Sequence, residues 1–190
     1  DFAAEHGLKM GSIADLIHYR MVNERTIRRV REGVIDTEYG EFQLTAYRDQ
    51  TDGDVHIALS RGAIAFDEPT PVRVHVQSVM RDLVTSKVSG RPAWHIGRAM
   101  RTVAERDRGV IVILSRAERA EQLLGSVDMV LGNGDAGAPP APDSYTTVGL
   151  GSQILRDLGV GKIQLMGAPM KYNAISGFDL EVVDFLEPED

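Results

Sequence analysis

The stretch V110-I-V-I-L114 is uninterrupted by any polar residue and stands between two segments of helical period. A short, wholly apolar run of this kind predicts a strand covered on both faces, which requires helices above and below the sheet. Upstream, Pro92 opens a predicted helix that carries Ile96, Met100 and Val103 on one side and stops near Gly109. Downstream, a second helix is predicted from Ala117 to about Leu124. A third spans S152-Q-I-L-R-D-L158, with Gly159 as its stop. Strands are predicted at K162-I-Q-L-M166 and L180-E-V-V-D-F185. This βαβ order implies an α/β fold with a mixed sheet flanked by helices.

Towards the N-terminus the period changes to two. T26-I-R-R-V-R-E-G-V-I-D36, E41-F-Q-L-T-A-Y47, V55-H-I-A-L59 and V72-R-V-H-V76 are separated by turns containing Gly and Asp, and read as four antiparallel strands. Ahead of them, Ser12 caps a predicted helix through Ile13, Leu16 and Ile17 to about Arg20, which forms an appendage. The segment from Leu131 to Asp143 is too rich in Gly, Ala and Pro to pack and reads as a loop.

A chain of 190 residues with 43% hydrophobic composition buries one core. The net charge of -7 argues against a nucleic-acid footprint, because phosphate backbones are held by clustered Lys and Arg. The basic run R25-T-I-R-R-V-R31 reads as the solvated face of a strand. Cysteine is absent, which removes disulfides, thiolate nucleophiles and zinc-thiolate sites, and suits a reducing cytoplasmic location. No apolar run reaches the roughly 20 residues of a membrane span, so no membrane partner is expected.

Candidate chemistry is sparse. His56 and His75 lie on successive strand patterns and can be read either as a metal pair or as hydrogen-bonded core residues. His6, His18 and His95 add no ligand spacing. Ser78, Ser86 and Ser89 lack a nucleophile elbow and read as turn or cap residues. G149-L-G-S-Q153, placed just before the third helix, admits a phosphate cradle or a plain tight turn. Arg116, Glu118 and Arg119 after the central strand, and Lys171 after Pro169, are candidate polyphosphate contacts or ordinary surface charges. No catalytic residue is assigned.

Together these segments resemble a known family. G149-L-G-S-Q-I-L-R-D-L-G-V-G-K162, I163-Q-L-M-G-A-P-M-K171, G177-F-D-L-E-V-V183, R73-V-H75 and R108-G-V-I-V112 resemble GTP cyclohydrolase II, which opens the guanine ring of GTP in riboflavin synthesis. F2-A-A-E-H-G-L8 and I13-A-D-L-I-H-Y-R20 resemble the end of 3,4-dihydroxy-2-butanone 4-phosphate synthase. The two resemblances imply that residues 1–22 are the tail of a synthase domain and residues 23–190 a GTP cyclohydrolase II-like domain fused to it.

The resemblance also implies a catalytic zinc held by three thiolates, and here the matching positions are Ser78, Ser89 and Arg91. A neutral hydroxyl is a poor zinc ligand and a guanidinium repels a dication. Zinc takes the pKa of bound water from about 15.7 to about 7, on the order of 12 kcal/mol in the cost of hydroxide at neutral pH. The family's triphosphate motif is reduced to Glu118 and Arg119, its Asp-x-Arg positions fall near Ser144 and Thr146, and of its T-N-N-P-K-K loop only Pro169 and Lys171 survive. The expectation is a domain that has lost GTP hydrolysis and holds no zinc. It would keep a structural or regulatory role for the fused synthase, as a homodimer. GTP or a flavin-pathway molecule is the candidate ligand, with magnesium entering only alongside a nucleotide. The alternative expectation is an active GTP cyclohydrolase II whose metal site has been rebuilt from His56, His75 or Asp residues.

Overall fold

The computed structural model describes residues 6–7, 19, 24–85, 94–115, 118–133, 144–167 and 178–188. A single seven-stranded sheet runs through them. Its strands are β1 (Ile27–Thr37), β2 (Gly40–Asp49), β3 (Val55–Arg61), β4 (Thr70–Val76), β5 (Gly109–Leu114), β6 (Lys162–Met166) and β7 (Glu181–Leu186), in the spatial order β1-β2-β3-β5-β4-β6-β7. The helices are α1 (Ile96–Glu105), α2 (Ala120–Leu131) and α3 (Ser144–Asp157), and a short π-helical turn, Val79–Leu83, follows β4. This is the mixed, helix-flanked sheet that the pattern predicts.

The expected set of four paired antiparallel strands is corrected at its fourth member. β1, β2 and β3 form an antiparallel meander, but β5 inserts between β3 and β4, and β4 pairs in parallel with β5 and with β6. Arg61 and Thr70 are too far apart in sequence for a tight hairpin, and the α1 crossover returns the chain beside β4. The order gives V110-I-V-I-L114 its character: it lies between two neighbours, and Val110, Ile111 and Val112 are fully buried.

Two cores form, one on each face. Tyr47, Ala58, Val72, Val112, Ile154 and Phe178 meet on the α3 side. Phe42, Leu59, Ile111, Trp94, Val103 and Met166 meet on the α1 side. Arg25, Arg28, Arg29 and Arg31 of the basic run are exposed, as expected of a solvated strand face, and two of them, Arg25 and Arg29, also form ion pairs. Both pair with Asp157, which also accepts a 2.9 Å hydrogen bond from Tyr47 Oη. A carboxylate in the last turn of α3 opposes the helix dipole, and two guanidiniums compensate it.

Helix boundaries shift from expectation. α1 starts at Ile96, where His95 Nδ1 accepts from the Arg98 amide at 3.3 Å; Pro92 lies outside the described residues. α2 starts at Ala120, not Ala117, and runs past Leu124 to Leu131. The Arg119 amide donates to Gln122 Oε1 at its start, and Gly132, at φ 74°, ends it. α3 starts at Ser144, well before Ser152, so Gly149 and Gly151 are inside the helix. The expected helix from Ser12 to Arg20 and the loop at 134–143 lie outside the described residues, apart from a helical Tyr19. Among the described residues no helix is long and apolar enough to cross a membrane.

Candidate functional site

The C-terminal ends of the parallel strands β4 and β5 converge on one polar cluster. β4 delivers His75, the chain turns at Val76, and Ser78 takes an extended conformation (φ −145°, ψ 127°) as the cap of the π-helical turn. Asp82, four residues on, folds back over that cap. One of its oxygens accepts from the Ser78 amide at 2.8 Å, and His75 Nε2 lies 2.9 Å from both. Arg81 pairs with the same carboxylate at 3.5 Å and also donates to the carbonyl of Val76.

A second carboxylate closes the cluster from the far side. Glu118, just before α2, accepts from the Val79 amide at 3.0 Å and from Ser78 Oγ at 3.4 Å, and Ser126 Oγ of α2 reaches it at 3.5 Å. Both amides of the Ser78–Val79 step are therefore held by carboxylates from different elements, in charge-assisted hydrogen bonds.

The electrostatics follow from burial. The His75 side chain is 2% exposed. Burial lowers its pKa to about 4, outweighing the Asp82 hydrogen bond that would raise it. It is a neutral imidazole at pH 7, donating through Nε2–H. Burial pushes the Asp82 carboxyl up, but the bonds from His75 and the Ser78 amide, with the nearby Arg81 charge, hold it below its ordinary value.

On the same sheet face, Arg73 donates to the carbonyls of Met166 at 2.8 Å and Trp94 at 3.0 Å, clamping the end of β6 to the residue before His95. The R-V-H segment thus works as a brace.

The structure separates the two strand histidines. His75 is paired with Ile113, which lies with Ile57 on the α1 face, whereas His56 is paired with Tyr47 on the α3 face. They occupy opposite faces with β5 between their strands, so the reading of His56 and His75 as a facing metal pair is corrected. Among the described residues no group of three His, Asp and Glu side chains is arranged to hold a metal. The phosphate cradle at Gly149–Gln153 is corrected too. These residues lie inside α3, where amides beyond the first turn are spent on helix hydrogen bonds.

Of the other predicted positions, Glu118 is committed to Ser78 and Val79, and Arg119 is exposed at the start of α2. His95 caps α1; burial, with Arg98 nearby, lowers its pKa. Ser86, Ser89, Arg91, Arg116, Pro169, Lys171 and His18 lie outside the described residues, as do the side chains of Ser144 and Thr146. Asp82 was missed by sequence reasoning; its only signal is its place four residues after Ser78, within reach of the amide of a turn cap.

Comparison with known proteins places this geometry. Residues 28–187 match the family model described as GTP cyclohydrolase II. The chain belongs to the GTP cyclohydrolase II family. Its relatives carry a second name. A 3,4-dihydroxy-2-butanone 4-phosphate synthase of Pseudomonas aeruginosa is 51% identical over 188 residues, covering 99% of this chain and 51% of the relative. The riboflavin biosynthesis protein RibBA of Aquifex aeolicus is 36% identical over 197 residues, covering 97% and 47%. The crystal structure of RibBX, a two-domain 3,4-dihydroxy-2-butanone 4-phosphate synthase from A. baumannii, is similar at a TM-score of 0.66 and 39% identity, covering 97% of this chain and 47% of that one. This GTP cyclohydrolase II-family chain thus spans about half the length of the relatives it matches. The donors at Ser78 do not suit the family's zinc. The one hydroxyl is bonded to Glu118, and the nearby imidazole nitrogen, His75 Nε2, carries a proton directed at Asp82.

Proposed function

We propose that residues 23–190 form a GTP cyclohydrolase II-like domain that does not hydrolyse GTP, and that it supports or regulates a 3,4-dihydroxy-2-butanone 4-phosphate synthase joined to it in riboflavin biosynthesis. Residues 1–22 are the tail of that synthase. The observation that carries the reading is the state of Ser78. It stands where the family resemblance expects the first zinc thiolate, and its amide and hydroxyl are spent on Asp82 and Glu118. Without a Lewis acid there is no cheap hydroxide at neutral pH to attack the guanine ring.

The relatives support the second half of the proposal. The family model begins at residue 28, yet the Pseudomonas aeruginosa synthase aligns over 99% of the chain, so the similarity extends in front of the cyclohydrolase-like domain. We assign the protein to the cytoplasm, in keeping with a chain free of cysteine. A homodimer would hold two synthase domains in register, and light scattering on the full protein measures this directly. In a regulatory version the remaining cations, Arg116, Arg119 and Lys171, still hold a GTP- or flavin-like anion. Unchanged ligand affinity in Arg119→Ala and Lys171→Ala variants would remove that version.

The test is GTP turnover by the purified, folded protein with zinc and magnesium added, read as formate and diaminopyrimidine by mass spectrometry. The expected result is no product above the buffer control. Zinc-dependent formate release would overturn the proposal and restore an active cyclohydrolase with a rebuilt site.

A further inference from the structure

The Ser78 cluster joins elements that sequence keeps far apart. His75 comes from β4, Asp82 from the π-helical turn, Glu118 from the entry to α2, and Ser126 from α2 itself. Every link is a hydrogen bond to one of two carboxylates: 2.8 Å and 2.9 Å to Asp82, 3.0 Å, 3.4 Å and 3.5 Å to Glu118. Asp82 is well shielded, with a side chain 10% exposed. Its charge is balanced by hydrogen bonds, as a buried carboxylate requires.

We infer that Asp82 and Glu118 form a latch that holds the turn after β4 against the sheet and against α2, without a metal ion. A metal site crosslinks its loop because several donors share one centre. Here the centre is divided. Asp82 gathers a side-chain and a main-chain donor from β4 and the turn cap, and Glu118 gathers the next main-chain donor and ties it to α2. The Ser78–Val79 step lies between them, with one amide on each carboxylate. The turn's own backbone bonds among the described residues run from Asp82 N to Ser78 O and from Val84 N to Val79 O, and neither uses the Ser78 or Val79 amide. The hydroxyl at position 78 fits this role, since it donates to Glu118 while the amide of the same residue donates to Asp82. The inference rests on the same Ser78 geometry as the proposed loss of activity, but it is read by a different measurement.

That measurement is amide hydrogen exchange of the full protein, resolved over residues 76–85, with zinc added and with chelator added. Glu118→Ala is expected to speed exchange at the Val79 amide by about tenfold, the loss of one charge-assisted hydrogen bond. Glu118→Gln, which keeps an acceptor, is expected to fall between wild type and Glu118→Ala. Asp82→Ala should do the same at the Ser78 amide, and if that variant does not fold, the Glu118 pair decides alone. Exchange in wild type is expected to be the same with zinc or chelator. Two results would overturn the latch: Val79 exchange unchanged in Glu118→Ala, or wild-type protection that depends on zinc. The first leaves the GTP result untouched, so failure of the latch and failure of the inactivity proposal are separable.

Discussion

A neutral, buried imidazole facing a carboxylate makes stability depend on pH in a definite direction. His75 has a folded-state pKa of about 4 against an ordinary value of 6.5, so the unfolded chain takes up the proton first as pH falls. The contribution is complete above pH 6.5 and is lost progressively as pH falls towards 4. Between pH 7 and pH 5 it amounts to about 2 kcal/mol. Asp82, whose pKa is lowered in the folded state, adds a further loss at more acid pH, in the same direction. Urea unfolding of wild type at the two pH values should show this drop, and the His75→Gln variant should lack that part of it. Equal pH slopes in the two proteins would show that His75 is not neutralised by its surroundings. At this scale the sequence singles out both Ser78, by its spacing from R-V-H, and Glu118, as a polyphosphate contact, but carries no sign that Glu118 reaches Val79 from 39 residues away.

At the scale of the element, α3 shows how a glycine pair misleads. Gly149 and Gly151 precede an apolar helical period and resemble the entry to an anion-binding helix, because glycine is disfavoured in helix interiors. The structure gives Gly151 another reason. A Cβ there would come 3.1 Å from Val74 Cγ1, so the missing side chain lets α3 approach the sheet. Propensity lost in the helix is recovered in close packing over β4. Gly151→Leu is predicted to destabilise by about 1–3 kcal/mol through overpacking, measured by denaturant unfolding. No effect would mean that α3 stands off the sheet. The pairing of β4 depends on which strand lies next to which, and period-two and period-3.6 patterns carry no pairing information. What the patterns do carry is the existence and order of the strands, and all seven appear in the observed sheet.

For the whole molecule, the sheet is held between two cores of apolar side chains. Val72, Val110, Ile111 and Val112 are fully buried at its centre, and α1 and α3 cover its two faces. A fold stabilised by burial on both faces can persist while its reactive groups change. That the centre is α/β was legible from V110-I-V-I-L114, since only a doubly covered strand tolerates such a run. The hydrogen-bonding of Ser78 was half legible. The sequence lacks every thiol and places Asp82 four residues after Ser78, but Glu118 reaches Ser78 and Val79 through a tertiary contact. The account stands or falls on the metal. The deciding measurement is zinc content of the folded protein, by native mass spectrometry after incubation with zinc and extensive dialysis. The account predicts less than about a tenth of an equivalent per chain, and about one equivalent retained would contradict it.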